Sequence, residues 1–132
     1  LTPEAARYLE KAEKCISDAK ISLGVGLNND AGRGAYLAAF HAAQAFIFER
    51  TGKVAKTHRG VHVEFARLSP IGLALGDNLR TFLQRAYNLK AVADYETGPD
   101  SELSPERAAA AIEDARTFLT TVATGLRAPP PD

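Results

Sequence analysis

The sequence predicts an all-α protein, an up-and-down bundle of about five helices. Three observations lead there. Apolar residues recur at spacings of three and four along most of the chain, which sets them on one face of a helix. Two matching starts, Thr2-Pro3-Glu4 and Ser104-Pro105-Glu106, place a hydroxyl, a proline and an acid in the order a helix N-terminus favours. No stretch alternates with period two over more than a few residues, so strands have no pattern to build on.

The first helix carries Ala5, Leu9, Ala12, Ile16, Ala19 and Leu23 on one face and is ended by Gly24 and Gly26. Asn28-Asn29-Asp30 supplies capping side chains for a second helix over about 30–50, closed by Thr51-Gly52. That helix, "RGAYLAAFHAAQAFIFER", is apolar on most faces, which predicts a position in the middle of the bundle. Thr57 caps a short third helix bearing Val61, Phe65 and Leu68, and Ser69-Pro70 stops it. Leu75, Leu79, Phe82, Ala86, Leu89 and Ala93 predict a fourth helix with a heptad-like seam. The last stripe is Ala108, Ala111, Ala115, Phe118, Val122 and Leu126. The bundle is expected over 1–127, followed by a proline-rich tail at 128–132.

With 16 Lys+Arg against 16 Asp+Glu, net charge is zero, so nothing in the overall balance calls for nucleic acid; a local basic patch remains open. Cys15 is the sole cysteine, which excludes an intrachain disulfide, and its neighbours Ala12, Ile16 and Ala19 predict a packing role. The apolar run from Gly34 to Phe48 falls short of the ~20 residues a membrane span needs. No basic leader with a cleavage site opens the chain, so the cytoplasm is the expected compartment. The start at Leu1 and the lack of Met lead us to expect further residues ahead of it.

Several residues have the chemistry for a site. His58 and His62 are four apart, the spacing of a helical metal pair, but no third ligand follows in the pattern zinc sites use, and no metal or cofactor is expected. "KTHRG" puts Lys56, His58 and Arg59 at the start of the third helix, where free N–H groups and the helix dipole favour an anion. A solvated basic turn is the plainer reading of that stretch. Arg80, Tyr87 and Asp94 are seven apart, with Lys90 nearby and Tyr95 next to Asp94, which predicts an exposed polar stripe or a contact surface. His41 stands alone in the apolar second helix, where a histidine is ordinarily a satisfied core residue.

Two stretches, "AYLAAFHAAQAFIFERTGKVAKTHRGVHVEF" and "LKAVADYE", resemble the HEPN superfamily, in particular small stand-alone bacterial members often encoded beside minimal nucleotidyltransferases. The resemblance implies a HEPN-like helical bundle, commonly a homodimer, that handles RNA or nucleotides without a metal. In the nucleases of this superfamily an Arg and a His four to six residues later form a composite site. His41 falls on that histidine, and Tyr36, His58, Arg59, Asp94 and Tyr95 fall on other family positions. The arginine position is occupied by Gly34, and Arg33 lies one place too early. At ~100° per residue, position 34 shares the direction of His41 to within about 20°, whereas Arg33 is about 80° away and roughly 12 Å along the axis.

Three functions are therefore expected in decreasing order. The first is an RNA- or nucleotide-binding HEPN module in a toxin–antitoxin or nucleotidyltransferase-associated pair, with Tyr36, Lys56, His58, Arg59, Lys90, Asp94 and Tyr95 as binding residues. The second is a metal-independent endoribonuclease toxin using Arg33 and His41. The third is a non-catalytic dimeric adaptor. A homodimer contact is expected through Tyr36, His41, Tyr87, Asp94 and Tyr95 on the second or fourth helix.

Overall fold

The computed structural model describes residues 1–70, 73, 75–98 and 101–127, so the expected tail at 128–132 lies outside the described residues. Among them are six helices and no strand: α1 Pro3–Gly24, α2 Asn28–Thr51, α3 His58–Leu68, α4 Asp77–Arg80, α5 Phe82–Tyr95 and α6 Pro105–Arg127. None is long and apolar enough to cross a membrane.

Helix α2 is the axis of the bundle, packed by α1, α6, α5 and α3. Its run of alanines, with no side-chain bulk beyond Cβ, lets neighbours approach from several sides, and Ala35, Ala38, Ala39, Ala42, Ala43 and Ala45 are all fully buried. The larger side chains fill one continuous aromatic seam across the helices. Phe46 of α2 meets Phe65 of α3 at 5.6 Å between ring centroids, Phe65 meets Phe118 of α6 at 5.4 Å, and Phe118 meets Phe82 of α5 at 6.0 Å. Such tilted and edge-on contacts are the favoured aromatic arrangements.

The ends of α1, α3 and α6 follow the sequence closely. Thr2 Oγ1 accepts the Ala5 N–H at 3.2 Å, Thr57 Oγ1 accepts that of Gly60 at 2.9 Å, and Ser104 Oγ accepts that of Arg107 at 3.1 Å. Gly52 closes α2 in the left-handed conformation at φ 70°, with its N–H on the Phe48 carbonyl at 2.7 Å. Burial pushes the Cys15 thiol pKa up, as suits a packed, unactivated cysteine.

Two expectations need correction. The fourth helix is not continuous over 75–93: α4 and α5 are separated at Thr81, at φ −96° and ψ −3°. The Thr81 hydroxyl donates to the Asp77 carbonyl at 3.2 Å, and Arg85 Nη2 reaches the Asn78 carbonyl at 2.6 Å. The Thr81 hydroxyl thus shares the Asp77 carbonyl with the Thr81 N–H at 3.4 Å, and side chains supplement the backbone bonds at the junction.

The second correction concerns the start of α2. It begins at Asn28 rather than near residue 30, Leu27 is its N-cap, and no side chain caps it. Asn29 Oδ1 instead accepts the Leu103 N–H at 2.9 Å, tying the segment before α6 to the head of α2, while Asn28 Oδ1 is buried with no partner. Replacing Asn29 with Ala is therefore expected to cost about 1–3 kcal/mol, because the Leu103 N–H loses its acceptor. Asn28→Ala removes only an unpaired oxygen and should cost less. Urea unfolding of both variants checks the order; equal losses, or a larger one for Asn28, would contradict the assignment.

Candidate functional site

A phenol inside an apolar helix needs a partner, and Tyr36 has two. Its side chain is fully buried at 0% exposure, and its hydroxyl lies 2.8 Å from His58 Nδ1 and 3.1 Å from His62 Nε2. The spacing of four residues sets both imidazoles on the side of α3 that faces α2. Tyr87 of α5 closes the group, with its ring centroid 5.3 Å from Tyr36, 5.3 Å from His58 and 5.5 Å from His62. Phe40, one turn along α2 from Tyr36, packs on His58 at 5.3 Å.

Burial shifts two members of this group. Burial, with a smaller effect from Tyr87, pushes the Tyr36 phenol far up, so its proton is retained. Burial pulls the His62 imidazole below its ordinary value; Gln84 opposes that and His58 adds to it. The outer edge of the group opens into a depression of about 350 Å³ lined by His58, Arg59, His62, Val63, Gln84 and Tyr87. The nitrogens that a metal pair would converge on an ion converge on the Tyr36 hydroxyl, and among the described residues no group of three metal-ligating side chains occurs.

The remaining predicted residues fall in two other places. Arg33 Nε donates to Asp94 Oδ1, its Nη1 to Asp30, and its Nη2 to the Ala93 carbonyl at 3.3 Å. Lys90 takes the other Asp94 oxygen, and Lys90 and Arg33 together hold the Asp94 carboxyl below the usual carboxylate range. This cluster pins the end of α5 to the head of α2. Arg80 belongs to α4 and pairs with Asp77, so the expected stripe of Arg80, Tyr87 and Asp94 is distributed over three different environments. Lys56 and Arg59 are exposed beside His58, and Tyr95 is 77% exposed.

His41 is half-buried. Gln44 Nε2 donates to the Ala55 carbonyl at 2.7 Å, which leaves Gln44 Oε1 to accept from His41 Nδ1–H, also at 2.7 Å. Burial lowers the His41 pKa, so the ring is neutral near pH 7. The structure brings Tyr36 and His58 together, and Arg33, Lys90 and Asp94 together. It does not join Arg33 to His41. Tyr36 is wholly enclosed within its own chain, so it cannot form the expected dimer surface.

Gly34 has a separate explanation. A Cβ built there would sit 2.8 Å from Ala19 Cβ and 3.4 Å from the Cys15 carbonyl oxygen, so the glycine marks a close approach of α1 and α2. The direction it shares with His41 points along α1, and an arginine at 34 would have to displace that helix.

The sequence singles out His62 and Tyr87, but His62 only for its spacing from His58, with no metal expected, and Tyr87 only as part of a polar stripe or contact surface. Sequence reasoning missed Gln84, Phe40 and Gln44 altogether. The usable signal was the phenol itself, a hydroxyl in the most apolar helix.

The helical bundle has clear relatives among known proteins. The HEPN domain family matches residues 5–125, and the chain belongs to that family. The chain is similar to a UPF0332 protein of Archaeoglobus fulgidus, 35% identical over 112 residues that cover 84% of this chain and 86% of the relative. The crystal structure of TT1696 from Thermus thermophilus shares the fold, with a TM-score of 0.80, 22% identity, and coverage of 94% of this chain and 99% of that one.

Gly34→Arg and Gly34→Ala should both lower stability. For alanine, overpacking of about 1–3 kcal/mol is set against a helix-propensity gain of about 1 kcal/mol, and arginine should lose more. Chemical denaturation of the two variants checks this; an unchanged or raised midpoint for arginine would show that α1 yields easily.

Proposed function

We propose that this HEPN-domain protein is an RNA- or nucleotide-binding module, acting as a homodimer in a toxin–antitoxin or nucleotidyltransferase-associated pair. The observation that carries the binding reading is the fixed His58 at the rim of the depression, beside Arg59 and the Tyr87 ring. Single-stranded nucleic acid is held by cationic side chains that follow its phosphates and by aromatic faces on which bases stack. The depression offers both within one nucleotide's reach. Arg59 lines it, and Lys53 and Lys56, exposed in the segment leading to α3, add basic side chains to that stretch of a chain of zero net charge. The start of α3 adds free N–H groups and the positive end of a helix dipole.

The endoribonuclease reading through Arg33 and His41 has less support. Arg33 is engaged by two carboxylates and a backbone carbonyl, and His41 by Gln44. Bringing a guanidinium to the His41 ring requires breaking the contacts that join α5 to α2.

Arg59→Glu is expected to weaken RNA binding at least tenfold and to reduce the salt slope by about one phosphate contact. The stability of the fold should not change, since Arg59 is exposed. Fluorescence anisotropy with a labelled single-stranded RNA across a salt series checks it. Unchanged affinity and slope would remove the depression as the binding site.

A further inference from the structure

We propose that the depression holds a phosphate of a bound strand against His58, and that binding draws one proton, and only one, onto the His58–His62 pair. The proposal rests on the RNA-binding reading above and deepens it. Its basis is the single hydroxyl that both imidazoles share.

The Tyr36 hydroxyl lies 2.8 Å from His58 Nδ1 and 3.1 Å from His62 Nε2, on a side chain with no exposure. A phenol has one proton to give and two lone pairs with which to accept. With both rings neutral, one takes the phenol proton and the other donates its own, and the count closes in either direction. With one ring protonated, that ring donates to the oxygen and the other accepts from it. Both states leave the phenol fully paired. With both rings protonated, two N–H groups point at the oxygen and the phenol proton is left without an acceptor in a buried place. Two like charges across one oxygen also oppose each other. The pair therefore takes a first proton and resists a second, as two carboxylates that share a site do. Burial lowers the His62 imidazole, and His58 beside it adds to that, in keeping with the opposition.

His58 is the exposed member of the pair and stands next to Arg59 at the rim, while His62 is half-buried. Helix α2 presents Tyr36 and Phe40 to the pair, α5 presents Tyr87 and the uncharged Gln84, and α3 itself adds Arg59. Among the described residues that line the depression there is no carboxylate, so none of these side chains competes with an incoming anion. An opposite charge in contact favours the charged form of a histidine, and N–H bonds from a charged ring to an anionic oxygen are the stronger kind. A phosphate beside His58 thus raises the proton occupancy of the pair, and the proton strengthens the hold on the phosphate. Histidine is the side chain for which this counts near neutral pH. Arg59, whose guanidinium keeps its charge, adds attraction without pH dependence. Tyr36 is a positioning residue: it is buried, touches no ligand, and limits how many protons its two partners hold.

The test uses the full chain and a labelled single-stranded RNA without a terminal phosphate, whose charge is constant from about pH 8 to about pH 5.5. Affinity should rise as pH falls, because the complex holds more protons than its parts, with a slope that approaches but does not pass about tenfold per pH unit. His58→Gln, at an exposed position, should bind with little dependence on pH. Imidazole carbon shifts of the free, unmodified chain should show a second proton on the pair held at least about tenfold more weakly than the first. Tyr36→Phe keeps both rings, removes the stranded proton and should narrow that gap. Binding of the unmodified chain that is flat with pH would overturn this inference and leave the RNA-binding reading standing. A slope steeper than one proton, or one retained in His58→Gln, would overturn it too. So would two protons held with equal ease in the unmodified chain, a result independent of how well Tyr36→Phe folds, or a gap unchanged in a folded Tyr36→Phe. Failure to bind at any pH would overturn both readings.

Discussion

The structure depends on one constraint: α2 is surrounded by other helices, so the polar side chains beyond its first turn, unlike Asn28 at its head, look to neighbouring segments for partners. Tyr36 is satisfied by α3, Gln44 by the Ala55 carbonyl before α3, and Arg33 by α5. These are also the contacts that position α3 and α5 relative to α2. A leucine zipper of the same shape would pack as well but leave the registers of those helices less defined, since apolar contact is non-directional. Hydrogen bonds from a buried hydroxyl have direction and stakes, because an unpaired one costs about 1–3 kcal/mol.

The same constraint accounts for the chemistry of the surface. His58 is exposed, yet one of its nitrogens is used by a group at zero exposure. A surface imidazole without such a partner turns and changes tautomer freely. Here rotation would cost the Tyr36 hydroxyl the shorter of its two contacts, so the ring is held in one orientation. The binding residue and the core residue are parts of one network, which is why Tyr36, though it touches no ligand, belongs in the description of the site.

Much of this fold was legible in the sequence. The stripes of α1, α3 and α6 and their hydroxyl caps were read from spacing alone, because local pattern and local structure coincide there. The break at Thr81 was not legible, since the seam of leucines runs through it and the hydroxyl that interrupts the helix acts over only four residues. The site was legible in parts. His58 and His62 are four apart and were found, but Tyr36 is 22 residues from the first and 26 from the second, and only the packing of α2 on α3 joins them. Arg33 and Asp94 are 61 apart. Family resemblance picked out both without indicating that they pair. Gly34 looked like a missing arginine on a helical wheel, which describes a face but not what lies against it; what lies against it is Ala19 of α1.

The central claim is that the buried Tyr36 hydroxyl holds both His58 and His62, so that each imidazole is kept in one orientation. Long-range ¹⁵N–¹H correlation of the imidazole rings, recorded at a pH where both are neutral, reads the tautomers directly. The account predicts one dominant tautomer at His58 and one at His62, with the His58 pattern reverting to a tautomeric mixture in Tyr36→Phe. A tautomeric mixture at His58 in the unmodified protein, unchanged in Tyr36→Phe, would contradict it, since the ring would then not be held by the Tyr36 hydroxyl.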